Sequence, residues 1–446
     1  MTLAPLRIVH YTKVFGSVWN DGQDRRISCL KPAGLYEDLD NDSWCSLTSD
    51  TSQSQDASAL IFHAHDTDLR KLPYKQRHPL QPWILETMES PFNPPFRHDS
   101  DLMKTFDYLA SYHTKSRFLM SYFSPNIMNI VRQPLADDFI QSKRSGAPIL
   151  WIASNCEAWN DRHLYIKELM KYIQVDSYGK CLNNKPSPGG EQERADLLRQ
   201  YKFYLAVENS NCDNYGKSTE KLFDTFMAST VPIVDGPMTY EPYLPNNRSV
   251  IRMDAYPDPQ KLADYIDYLD KNDTAYLEYI APFRNQQVPE QERLDADFYD
   301  TWANRTKFDL FSVWCGVCHG VLPWWYQRSL NLTMDGFRPD QLDYLRADKS
   351  CRPEGKWAYA AYGPPYLPHW RPTLPDEFTR PDHPNHRKLA NYSIRPLDTH
   401  GLDPSSRFAW MLFSFYCVLF TGFMGFLLYR RSIKKHRYSS PSIPLS

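Results

Sequence analysis

Residues 201–237 read YKFYLAVENSNCDNYGKSTEKLFDTFMASTVPIVDGP, and the fold class follows from them. The run 203–207 (FYLAV) is short, apolar and β-rich, as a buried strand is. It ends in a polar turn holding Glu208, Asn209 and Ser210. A helix is expected to open near Ser218. Ser218 or Thr219 can cap it, and Leu222, Phe223, Phe226 and Met227 recur at helical spacing. A second buried strand, 231–234 (VPIV), precedes Gly236 and Pro237. Strand, polar loop, helix and parallel strand make a βαβ unit, whose ligands bind at the carboxyl ends of the strands. The unpaired N–H groups and positive dipole end of the helix suit a phosphate, and Lys221 in its first turn adds a full charge. The stretch reads as an anion site for a nucleotide sugar or a dinucleotide. The tetrapeptide 216–219 (GKST) looks like the end of a nucleoside-triphosphate P-loop. That motif needs a glycine five residues before Gly216, and Asn211 stands there.

Working outward, 446 residues suffice for two domains with ample core. A net charge of −2, from 51 basic and 53 acidic side chains, gives no overall attraction to nucleic acid. Two features point to an oxidising, secretory compartment. Six N-x-S/T sequons occur, at Asn41, Asn247, Asn272, Asn304, Asn331 and Asn391, and eight of nine cysteines lie outside the apolar tail. Residues 408–429 form an uncharged run long enough to cross a bilayer. Arg430, Arg431, Lys434, Lys435 and Arg437 follow it, so the positive-inside rule places residues 430–446 in the cytosol and the body in the lumen. Residues 1–26 hold no apolar core of the signal-peptide type. The expectation is a sequence lacking an upstream signal exon, with an unusual insertion route as the alternative.

In the first 140 residues the runs 8–11, 59–62, 83–85 and 118–120 are the expected central strands of an α/β layer. Residues 38–57, rich in Asp, Ser, Thr and Gln, read as a long exposed insertion. Residues 133–146 look like an interdomain crossover. The second domain then opens with a strand at 149–153, an amphipathic helix at 162–173 and a strand at 175–179. A Pro/Gly loop at 185–193, a last strand at 249–255 and a helix at 261–269 complete its outline. His63, His65 and Asp66 alternate across a strand and lack convincing metal-ligand spacing; no metal site is expected.

Glu208-Asn209-Ser210, Tyr215, Thr219-Glu220-Lys221-Leu222, 231–234 and Gly236-Pro237 resemble the donor signature of the α-1,3-fucosyltransferase family. The resemblance runs from about Arg7 to Cys318, and residues 165–184 look most like the animal branch that fucosylates proteins. It implies a GT-B fold: two Rossmann-like domains facing a cleft, here residues 1–140 on the acceptor side and 145–321 binding GDP-fucose. A Pro/Trp-rich packing segment and stalk (322–407), the transmembrane helix (408–429) and a basic tail (430–446) would follow. Inverting transfer needs a carboxylate to take the acceptor's proton. Glu89, in the Glu-Ser-Pro of residues 89–91, resembles the family's base. Glu86 is a weaker candidate. The resemblance assigns donor binding to Arg162, Asn209, Tyr215, Glu220 and Lys221, with Arg162 and Lys221 on the diphosphate. It also implies that Cys315 and Cys318 are tied by disulfides to Cys29 and Cys45, leaving Cys156, Cys181, Cys212 and Cys351 without assigned partners. No cofactor beyond the donor is implied, since Arg162, Lys221 and the helix dipole can stabilise departing GDP.

Two departures stand out. Arg117 occupies the place of a family Asp, and Gly216-Lys217-Ser218 lengthen the loop between Tyr215 and Thr219. The reading is therefore an inverting, GDP-fucose-dependent transferase of the Golgi or endoplasmic reticulum membrane. Its acceptor would be a Ser or Thr of a protein, or a GlcNAc of a glycan. The rivals are a membrane-tethered GDP-sugar- or glycan-binding protein without activity, and a transferase using another nucleotide sugar.

Overall fold

The structure, a computed structural model, describes residues 3–360 apart from 37, 93–102, 114, 125, 214, 216–218, 238–239, 241, 304–312, 332–349, 353–354 and 359. The expected membrane span 408–429 and basic tail 430–446 lie outside the described residues. Among those described, no helix is long and apolar enough to cross a membrane.

Two sheets form the framework. The first has the order β2-β3-β1-β4-β5-β6-β7, from Arg25–Arg26 (β2), Cys45–Thr48 (β3), Leu6–His10 (β1), Ala59–His63 (β4), Trp83–Thr87 (β5), Tyr108–Ser111 (β6) and Phe118–Leu119 (β7). Every pairing in it is parallel except β2 with β3. The second is wholly parallel, with the order β12-β11-β10-β8-β9: Ile251–Arg252 (β12), Val231–Asp235 (β11), Phe203–Val207 (β10), Ile149–Ile152 (β8) and Val175–Tyr178 (β9). Parallel strands covered on both faces read as unbroken apolar runs. That is why β4, β5, β10 and β11 are buried at every position. Counted from its own first strand, the second sheet runs 2-1-3-4-5. Its strand order therefore reverses between β8 and β10, and the crevice beyond their carboxyl ends is where a ligand sits in such sheets.

The expected insertion at 38–57 is not all exposed loop. Trp44, Cys45 and Leu47 are buried, and β3 pairs with β1 with Leu6 opposite Cys45. Its face is covered by the helix Val313–Ser329, which brings Cys315 to Cys29 and Cys318 to Cys45 as two disulfides. Gly320 lets this helix approach closely: a Cβ there would run into the Phe118 ring. The second core takes its residues from Phe123 onward, upstream of the expected crossover. Phe123 packs against Phe223, Phe226, Tyr243 and Trp302, with ring centroids 5.1–6.2 Å apart. The expected strand at 249–255 shortens to Ile251–Arg252, and Met253–Ala255 turns into a 3-10 helix. Residues 191–200 form a helix where the sequence had only the end of a loop. The remaining cysteines pair as Cys156–Cys181 and Cys212–Cys351. Both sheets lie in one unit, Met1–Ile394.

Candidate functional site

The helix Glu220–Met227 begins where the sequence indicated, with Thr219 at its N-cap. The Thr219 side chain makes no capping bond to the helix. Its hydroxyl instead donates to Oε1 of Glu208 at 2.7 Å. Glu208 follows β10 directly and is 2% exposed. Its Oε2 lies 3.2 Å from the Lys221 ammonium, which also holds Oε1 of Glu220 at 2.9 Å. Burial works against the charge of Lys221, but the two carboxylates outweigh it and lift the ammonium above the ordinary lysine range. Burial likewise opposes ionisation of Glu220, and Lys221 overcomes it, so that carboxyl sits below its usual value. The approach of Glu208 depends on Gly236, at the end of β11, where a Cβ would lie 3.0 Å from the Glu208 Cγ.

Arg162 opens the helix Arg162–Leu169 after β8, on the other side of the strand-order reversal. It is 4% exposed, and its guanidinium donates to the Val207 carbonyl. Its Nε is buried and has no hydrogen-bond partner among the described residues. Burial pulls Arg162 below the usual arginine range, against the pull of Glu208. Asn209 is half-buried; its carbonyl accepts from the Asn160 N–H at 3.3 Å and its Oδ1 from the Ser210 hydroxyl at 3.4 Å.

From the first half, Glu89 follows β5 and is half-buried. Burial raises its carboxyl above the usual range; Lys221 pulls it down, and Glu208 and Glu220 push it up. A carboxylate of the first sheet thus lies within the field of three charged groups of the second. Tyr215 seals the same junction. It is 5% exposed, sits edge-on to Tyr112 with centroids 5.3 Å apart, and packs with Met88 and Phe92. Burial, with Glu208 and Glu89 adding to it, holds its phenol well above the ordinary value. Phe92 stacks on Trp159 at 5.1 Å across the same line. The inserted Gly216-Lys217-Ser218 lie outside the described residues. Arg117, the replaced family position, is exposed.

Four contributors escaped the sequence reading. Glu208 stands in the turn and in the donor signature but carries no donor role in the sequence reading, although a carboxylate directly after a fully apolar strand is the available signal. Tyr122 is 52% exposed beside the buried Phe123; burial raises its phenol, and the fields of Glu220 and Glu89 raise it further. Asp235 and Lys356, at the back of the site, form a buried ion pair that nothing local in the sequence announces. Elsewhere, Glu86 is bound to His10 at 2.6 Å, and His63 to Asp66 at 2.6 Å. Among the described residues the one cluster with metal-ligand proximity is Cys29, Cys315 and His319, and its two sulfurs form a disulfide. Of the sequons, Asn41, Asn247 and Asn331 are exposed. Asn272 caps the helix Asp273–Leu277 through its side chain. Asn304 and Asn391 lie outside the described residues.

Comparison with known proteins gives a consistent picture. Residues 141–322 match the model for glycosyltransferase family 10 (fucosyltransferase), C-terminal, and residues 9–123 match the fucosyltransferase N-terminal model. A protein of Danio rerio described as GDP-fucose protein O-fucosyltransferase 3 is 35% identical over 235 residues, 50% of this chain and 50% of the relative. Its counterpart in Canis lupus familiaris is 30% identical over 329 residues, 70% of this chain and 66% of the relative. The chain therefore spans about half the length of the first of these relatives. A solved α1,3-fucosyltransferase with GDP-fucose superposes with a TM-score of 0.43 at 15% identity, covering 76% of this chain and 94% of that one.

Proposed function

The chain belongs to glycosyltransferase family 10, the fucosyltransferases, and on that premise we propose that it transfers fucose from GDP-fucose to a hydroxyl of a protein, with inversion. The observation that carries the reading is the position of Glu89, a half-buried carboxylate on the loop after β5 whose pKa is raised and which lies in the field of the Lys221–Glu208–Glu220 cluster. A protein that only held a sugar nucleotide would have no use for a base there. In the proposed reaction the acceptor hydroxyl gives its proton to Glu89 while its oxygen attacks the anomeric carbon from the face opposite the diphosphate. The bond to the β-phosphate oxygen breaks, and GDP departs toward Lys221, the Arg162 Nε and the N-terminus of the helix Glu220–Met227. These cations supply the charge stabilisation the leaving diphosphate needs, so the reading calls on no cofactor beyond the donor. A protein acceptor is favoured over a glycan GlcNAc because relatives in fish and dog are described as protein O-fucosyltransferases.

The reading extends to architecture and topology. The two halves are assigned to a GT-B arrangement, with the acceptor side in residues 1–140, less the stretch from Phe123 that packs in the second core, and the donor side in 145–321, less the start of the helix Val313–Ser329 that covers the first sheet. Residues 322–407 serve as packing segment and stalk, 408–429 as a membrane anchor and 430–446 as its cytosolic tail. The catalytic body then lies in the lumen of the Golgi or endoplasmic reticulum. Four disulfides suit that oxidising space.

The test is GDP release by the full-length chain offered GDP-fucose, GDP-mannose and UDP-sugars, with folded and denatured protein acceptors side by side. GDP-fucose consumed in the presence of a protein acceptor is the expected result. GDP binding without consumption of any donor would favour the inactive sugar-nucleotide binder.

A further inference from the structure

Residues 350–352 and 355–358 lie beyond the 141–322 segment that the family model matches, yet they bond to the loops at the carboxyl ends of the second sheet. The Cys212–Cys351 disulfide fixes their start, next to backbone bonds from Asp213 N–H to the Ser350 carbonyl (2.6 Å) and from Arg352 N–H to the Asn211 carbonyl (2.7 Å). Further on, the Gly355 N–H donates to the Trp159 carbonyl (2.8 Å) and the Trp357 N–H to the Asn160 carbonyl (2.9 Å). Lys356 and Trp357 are 3% and 1% exposed.

Both side chains converge on Asp235, the last residue of β11. The Lys356 ammonium pairs with its Oδ1, and the Trp357 indole N–H donates to its Oδ2 at 2.9 Å. The same Oδ2 accepts from the side-chain amides of Asn211 (3.2 Å) and Asn160 (3.4 Å). The Asn160 amide also donates to the Glu208 carbonyl at 3.0 Å, and its Oδ1 accepts the Arg162 backbone N–H at 3.3 Å. Asn211 reaches the Gly236 carbonyl at 2.9 Å. From Lys356, the path to Glu208 and to Arg162 thus passes through Asp235 and one asparagine. Packing alone does not call for this: an apolar side chain would fill the space, whereas a buried lysine carries a desolvation cost that must be offset by its partner. Its partner is the residue that joins the Arg162 loop to the Glu208 loop.

We propose that residues 350–352 and 355–358 are a positioning clasp for the nucleotide-sugar site, with Lys356 and Trp357 holding the loops of Arg162 and Glu208 in their binding geometry before the donor arrives. The inference rests on the fucosyltransferase reading above and deepens it. Holding the site ready lowers the ordering cost that donor binding would otherwise carry. The Lys356 and Trp357 side chains bond to Asp235 of the second sheet, so their substitution bears on donor affinity and leaves acceptor affinity alone.

The experiment uses the full-length chain with Lys356→Met, Lys356→Arg and Trp357→Phe. GDP affinity is read by calorimetry, the KM for GDP-fucose and for acceptor by kinetics, and folding by thermal melting. Lys356→Met and Trp357→Phe are expected to weaken GDP binding and raise the donor KM about tenfold, with acceptor KM unchanged to within about twofold. Lys356→Arg, which keeps the pair with Asp235, is expected to recover most of the loss. GDP affinity within about twofold of wild type in folded Lys356→Met and Trp357→Phe would overturn the proposal, even with lower melting temperatures. Should Lys356→Met not fold, Trp357→Phe decides alone, because it keeps an aromatic ring and removes only the N–H to Asp235. A wild-type chain that binds GDP but consumes no GDP-fucose overturns the transfer reading instead, and the GDP affinities still decide the clasp.

Discussion

Replacing Lys221 by methionine separates the three roles proposed for one ammonium group. The first is donor binding. A charge-assisted bond to phosphate contributes about 1.5–3 kcal/mol. Lys221 must loosen its 2.9 Å contact with the half-exposed Glu220 to make that bond, which offsets at most ~1 kcal/mol. The net, about 0.5–3 kcal/mol, should raise the donor KM by more than twofold and up to roughly 150-fold, at 1.36 kcal/mol per decade. The second role is structural. Without Lys221 the Glu208 carboxylate, 2% exposed, keeps the Thr219 hydroxyl and loses its counter-charge, a cost of about 1–3 kcal/mol. The third is the base. Lys221 is the foremost charge holding the Glu89 carboxyl down, against burial, Glu208 and Glu220. Glu89 must be ionised to accept a proton, so kcat/KM falls as the pH drops through its pKa. Removing Lys221 moves that acid limb to higher pH, and Glu220→Gln, which removes a charge of the opposite sign, moves it to lower pH. The assay is GDP release across a pH series at varied GDP-fucose, with a thermal melt alongside. A donor KM within about twofold of wild type, or an acid limb that moves the same way in both variants, would refute the reasoning.

Three regions show what the sequence could and could not say. The unit from β10 through the helix Glu220–Met227 to β11 was legible because doubly covered parallel strands need continuous apolar runs, and the cap and polar turn between them have local signatures. The strand Cys45–Thr48 was not. Its four residues sit in a polar stretch, and it is strand by virtue of pairing with β1 and burial under a helix from residue 313 onward. That helix was itself hidden, since Pro323 and the tryptophans around it read as loop composition, while its tertiary contacts override the local cost of the proline. The site divides in the same way. Lys221, Glu220 and Arg162 stand at helix starts where local rules place them. The placing of Glu89 within the field of Lys221, and the pairing of Lys356 with Asp235 across 121 positions, are information carried only by the folded chain.

Other variants probe the packing beneath the chemistry. Gly236→Ala puts a Cβ 3.0 Å from the Glu208 Cγ and 3.4 Å from the Tyr215 carbonyl. It should cost about 1–3 kcal/mol of stability and raise the donor KM, read by melting and kinetics. The disulfides Cys29–Cys315 and Cys45–Cys318 close nearly the same long loop, with separations of 286 and 273. With one intact, the other closes only a short extra loop, so loss of either pair to serine should cost about 3 kcal/mol and loss of both roughly 8–9, measured by denaturant melts. Equal costs for the first and second removal would contradict that picture.

The most direct measurement is GDP release from GDP-fucose by the full-length chain and by Glu89→Gln, at saturating donor and acceptor. The amide keeps the shape of the side chain and cannot take the proton. Turnover should fall by about two to four orders of magnitude while GDP affinity stays at the wild-type level. Turnover in Glu89→Gln equal to that of wild type would mean that the Glu89 carboxylate is not the group that activates the acceptor.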